Sequence, residues 1–114
     1  MEMELKGVTY EMATSLRVAY KIQGMNNNKS YAKVFEGVGD MGIEEQIGLL
    51  YASFSVANPG TLSRQEFLDA VLDEYGIAQV MEKLSELIEA MMFRGMTEEQ
   101  VGEHRRRLEQ ASQK

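Results

Sequence analysis

The chain of 114 residues contains no cysteine and no tryptophan, a single proline and a single histidine. Without cysteine there are no disulfide staples and no thiolate chemistry, so stability rests on packing, and a reducing compartment suits it. One histidine with no cysteine leaves no zinc-ligand spacing. Cations are also scarce relative to anions, with 12 Lys and Arg against 18 Asp and Glu and a formal charge of -6. The average field therefore repels nucleic acid and anionic membranes. Apolar runs fall well short of the roughly 20 residues that a membrane span needs, and MEMELKGVTY lacks the basic start and apolar block of a secretory signal. These absences point to a cytoplasmic protein that binds neither nucleic acid nor membrane.

What is present is 44% apolar residues, the mixture of one ordinary globular domain, and nine methionines. Methionine is unbranched and polarizable, so it fills irregular gaps and adapts to varied partner surfaces.

Along the first twelve residues, a two-residue turn at Lys6-Gly7 pairs Leu5 with Val8, Met3 with Tyr10 and Met1 with Met12 on one face. The glutamates and Thr9 fall on the other, as in a hairpin with one buried side. The period then changes. Leu16, Ala19, Tyr20 and Gln23 form one helical face and Val18 with Ile22 another, with Gly24 predicted to end the helix. After the polar loop MNNNKS, Tyr31, Val34, Phe35 and Val38 recur at helical spacing. The stretch GVGDMG lacks the lysine-serine or lysine-threonine ending of a phosphate loop and is predicted to be a helix-to-helix turn.

Residues 43 to 57 are apolar on both sides, with Ile43, Ile47, Leu50, Tyr51 and Phe54 on one and Leu49, Ala52 and Val56 on the other, which predicts a central helix. It ends at Asn58-Pro59-Gly60. Ser63 and Glu66 then form a capping box with Leu62 and Phe67 as its staple, opening a helix whose apolar side is Phe67, Leu68, Val71, Leu72 and Tyr75. Gly76 breaks it.

The next helix carries Ile77, Val80, Met81, Leu84, Leu87, Ile88 and Met91 within about 60 degrees of one line, with Met92 at the margin. That line is predicted core. Phe93 points away from it, so either the helix is covered on a second side near its end or Phe93 belongs to an interface. Thr97 and Gln100 form a second capping box, and the charged helix that follows has few apolar residues beyond Val101, Leu108 and Ala111. The expected organisation is a compact domain over residues 1–94 and a weakly anchored charged helix or tail over 95–114. That tail is either a solvated, salt-bridged helix or a docking element.

Chemistry finds little footing. His104 could work as an acid or base with Glu103 or Glu99, but on the least anchored segment a productive geometry is hard to hold. Asp69, Asp73 and Glu74 lack the spacing of a calcium loop and read as a wet helical face. The run HRRR, residues 104 to 107, is one cluster among glutamates without interleaved aromatics, unlike a nucleic-acid surface. No catalytic, cofactor or metal site is expected.

Taken together, MELKGVTYEM as a starting hairpin, then AYKIQG, EEQIGLLYASFSVANP and RQEFLDAVLDEYG as short helices, resemble the tail assembly chaperones of long-tailed bacteriophages of Gram-positive bacteria. The resemblance spans about residues 3 to 93 and rests on overall pattern. It implies a mainly α fold, with an N-terminal β-hairpin packed on a compact array of five to six short helices. It also implies a non-enzymatic role: binding the tape measure protein, keeping it soluble and recruiting tail tube protein, in the cytoplasm of the infected host and not in the mature virion. The partner-binding positions expected on this basis are Met91, Met92, Phe93 and Met96, with Tyr31 and Phe35. A homo-oligomer would also satisfy Phe93 and the last helix. The other expectations are a structural tail or connector component, or a small adaptor binding a host protein.

Overall fold

A computed structural model describes residues 1–112 of the chain. It is mainly helical, with an N-terminal antiparallel hairpin. Strands β1 (Glu2–Leu5) and β2 (Val8–Glu11) are followed by α1 (Leu16–Met25), α2 (Tyr31–Glu36), a 3-10 turn (Val38–Asp40), α3 (Ile43–Ala57), α4 (Arg64–Glu74), α5 (Ile77–Phe93) and α6 (Glu98–Ser112). No helix among the described residues is long and apolar enough to cross a membrane.

The hairpin has the register its alternation predicts: Leu5 opposite Val8, Met3 opposite Tyr10, and the Met12 N–H donating to the Met1 carbonyl at 2.6 Å. Lys6 and Gly7 both take positive φ, 51° and 78°, which gives the turn the twist of its strands. Met3, Leu5 and Met12 are buried, but Val8 is 50% exposed. Two-stranded ribbons twist strongly, and the core closes over Leu5 without reaching its partner.

Both outer edges of this ribbon are partly covered. The Glu2 carbonyl accepts from Lys83 Nζ at 3.0 Å and the Glu4 carbonyl from the Tyr75 hydroxyl at 2.8 Å. On the other strand, the Glu11 carbonyl accepts from Asn58 Nδ2 at 2.8 Å, and just past it the buried Ser53 hydroxyl donates to the Ala13 carbonyl at 2.6 Å. An exposed edge invites pairing with other chains, so side chains on the helices and at their ends blunt it here.

Helix α3 is the centre of the molecule, as its two apolar sides require. It packs on α1, α4, α5 and β2. The Phe54 ring meets Tyr10 edge-on, with centroids 5.1 Å apart, and lies 5.0 Å from Phe67 of α4, so one aromatic cluster joins hairpin, hub and helix. The capping box at Ser63 and Glu66 forms with both of its hydrogen bonds, and Phe67 is fully buried beside a partly buried Leu62.

Other expectations need correction. Helix α1 does not stop at Gly24. It continues to Met25, because the Asn26 side chain donates to the Ile22 carbonyl at 2.7 Å and Asn27 and Asn28 adopt the left-handed conformation that closes it. Of the two faces of α1, Val18, Ala19 and Ile22 enter the core, leaving Leu16 77% and Tyr20 81% exposed. At the other side of the hub Ile43, Leu72 and Ile77, each predicted to face inward, stay largely exposed. They begin or end their helices, or lie at the stripe's margin, where α3, α4 and α5 diverge around a small cavity of about 130 Å³. The apolar positions Leu108 and Ala111 lie outside the described side chains.

Candidate partner-binding groove

Helix α2 opens at Ser30, whose hydroxyl accepts the Lys33 N–H at 3.3 Å. Its i, i+4 spacing then sets the rings of Tyr31 and Phe35 on one face, 6.1 Å apart, while Val34 on the next face is buried. Across from them, Ile88, Met91 and Met92 follow one another at i, i+3 and i+4 on the last turns of α5. The gap between is a groove of about 440 Å³ lined by Tyr31, Phe35, Met91, Met92, Leu16 and His104. Ala19 and Ala32 leave this space open because their side chains are too short to fill it.

The groove is held in shape by contacts at its ends. Arg94, just after α5, donates through Nη1 to the Thr14 hydroxyl at 2.7 Å, fastening that end to the start of α1. Its far wall belongs to α6. Gly95, with φ 81°, lets the chain reverse, and Thr97 and Gln100 close their capping box with bonds of 3.0 and 3.2 Å.

The reversal settles the position of Phe93. Its ring is met edge-on by the His104 imidazole, with centroids 5.6 Å apart at 79°, and the Arg105 guanidinium lies 5.2 Å from its centroid. Arg105 also pairs with Glu89 of α5. Of the two alternatives, the structure supports cover on a second side, supplied by α6.

Four of the six expected positions therefore meet in one groove: Tyr31, Phe35, Met91 and Met92. Phe93 is half-buried against α6 and lines a neighbouring surface groove with Ile88, Met92 and Arg105, and Met96 lies in the connection to α6, 42% exposed and outside the groove lining. His104 is a wall residue, on the segment that the sequence left open between a solvated, salt-bridged helix and a docking element. The only trace of its role in the sequence is Phe93 itself, an aromatic off the core line that needs a cover.

The groove's lining is mostly apolar, with Tyr31 and His104 as its residues that carry polar groups. Among the described residues no cluster of three or more histidine, aspartate or glutamate side chains is placed to hold a metal. Away from the groove, at the start of α4, hydrogen bonds from the Ser63 backbone and hydroxyl hold the Glu66 carboxyl below its ordinary value. No family model, curated protein or solved structure matches the chain.

Proposed function

We propose that this protein is a non-enzymatic assembly chaperone of a long-tailed bacteriophage, which takes an apolar helical segment of the tape measure protein into the groove between α1, α2 and α5. The observation that carries this is the convergence of Tyr31, Phe35, Met91 and Met92, from two helices distant in sequence, on one open apolar groove. Contiguous apolar surface left accessible in this way is characteristic of protein-interaction sites and binding grooves. A helix presents i, i+3 and i+4 side chains to such grooves, and methionines repack around different ones. The aromatic pair supplies large, stiff contact area of the kind that dominates binding energy.

In this role the client's own apolar stripe is shielded from self-association until tail tube subunits are recruited around it. The chaperone then leaves, and mature virions lack it.

Co-expression with the tape measure protein of the same genome tests the proposal. The soluble yield of the client rises with the wild-type chain and falls back with Phe35→Ala and Met91→Ala. No gain in client solubility overturns it. Stoichiometric presence in purified virions would replace it with a structural tail or connector role.

A further inference from the structure

The charges of this chain are segregated in a way its net charge conceals. Residues 12–35, which include α1 and α2, carry four cations (Arg17, Lys21, Lys29 and Lys33) and no carboxylate, whereas residues 36–93 carry eleven carboxylates and two cations. The apolar groove has two of its walls in the cationic segment.

We infer that the groove's occupant is an amphipathic helix with acidic residues flanking its apolar stripe. This rests on the groove being the client site. Arg17 follows the groove residue Leu16 and Lys33 follows Ala32, and both cations are exposed. At the α5 end Arg94 stands over the start of α1. Carboxylates do occur nearby, but Glu89 is paired with Arg105, which leaves Glu36 beside Phe35 and Glu103 beside His104 as the local opposition.

The apolar surface extends past the groove in the same cationic region. Leu16 and Tyr20 share a face of α1 at i, i+4, and both are almost fully exposed. From Leu16 to Met25 this helix runs about 14 Å at 1.5 Å per residue, enough to lie along two to three turns of a partner helix. Arg17 and Lys21 border that ridge on a second surface groove shared with Tyr20 and Met25.

Long-range electrostatics favour the same partner. An acidic helix is repelled by the carboxylate-rich surface of α4 and α5 and attracted to the cations of α1 and α2, which favours approach in the orientation that fills the groove. A basic helix would be drawn to the wrong face. A nucleic acid would meet the cations too, but its phosphates gain nothing from Leu16, Met91 and Met92.

The test uses three labelled synthetic helical peptides with one apolar stripe, flanked by glutamate, glutamine or lysine, titrated with the full chain by fluorescence anisotropy. The glutamate-flanked peptide binds about tenfold or more tighter than the lysine-flanked one, and the gap closes in about 0.5 M salt, where exposed charges are screened. In the Arg17→Glu, Lys33→Glu double variant the order reverses, while Phe35→Ala weakens all three alike. Equal affinities overturn the charge assignment and leave the groove standing. Failure of every peptide to bind sinks the groove as the client site. Displacement of the glutamate-flanked peptide by a single-stranded DNA oligonucleotide at equal concentration assigns the face to nucleic acid and overturns the inference.

Discussion

The carboxylate of Glu74, at the end of α4, accepts the backbone N–H of Lys6 with both oxygens, at 2.8 and 3.1 Å, across 68 residues of chain. Lys6 stands at φ 51°, a left-handed conformation that glycine or asparagine adopts more readily. A tertiary contact thus supports a turn whose local sequence is second-best. Glu74→Ala is expected to lower stability by about 1 kcal/mol. Lys6→Asn should raise it by up to about 1 kcal/mol, because the strain at the turn falls while the N–H donor remains. Urea midpoints of the two variants measure both effects.

Gln46 is buried on α3, and its Nε2 donates to the Val38 carbonyl at 3.0 Å, tying the 3-10 turn to the hub. Replacing it with leucine adds apolar character to a core position and is still expected to destabilise by about 1 kcal/mol, because the tie between turn and hub is lost and the Val38 carbonyl keeps only the Met41 N–H, at 3.2 Å. A thermal melt of Gln46→Leu that matches or exceeds the wild type would contradict this.

The capping box of α4 makes stability depend on pH in one direction. The Glu66 carboxyl is lowered from 4.5 by hydrogen bonds from the Ser63 backbone and hydroxyl. A lowered folded value means the contribution is complete above pH 4.5 and is lost as pH falls through the lower folded value. Glu66→Gln retains an accepting oxygen and cannot titrate, so its unfolding midpoint declines less than that of the wild type on acidification below pH 4.5. Ser63→Ala, read at neutral pH, costs about 1 kcal/mol.

Helix α6 is fastened to the body through Phe93, which His104 and Arg105 cover, and through the exposed pair of Arg105 with Glu89. Exposed pairs contribute only about 0–1 kcal/mol, so the aromatic contact dominates. Phe93→Ala is expected to drop amide exchange protection across residues 98–107 while α3 keeps its own. Gly102→Ala acts in reverse. A methyl group there meets nothing within 4 Å, and alanine favours the helix by about 1 kcal/mol, so protection in α6 rises.

Local physics wrote much of this fold into the chain. The strand register followed from alternation around Lys6-Gly7, the starts of α4 and α6 from the pairs Ser63 with Glu66 and Thr97 with Gln100, and the central place of α3 from apolar residues on both its sides. Each is a matter of neighbours within about four residues, where spacing alone fixes which groups can meet.

Other features depended on which surfaces lie against each other. Whether Leu16 and Tyr20 or Val18 and Ile22 faced the core could not be read from α1, since both sets have helical spacing and only the docking on α3 chooses between them. Tyr31, Phe35, Met91 and Met92 were legible as apolar residues in excess of local need, but their shared groove exists only because α2 and the end of α5 flank α1. Phe93 declared itself off the core line, while its cover, His104, was hidden because the contact crosses a chain reversal at Gly95. Composition and period determined the elements, their caps and their amphipathic faces. Only the tertiary structure decided which face each buries, because packing compares surfaces far apart in sequence and the spacing within one helix holds no record of its neighbours.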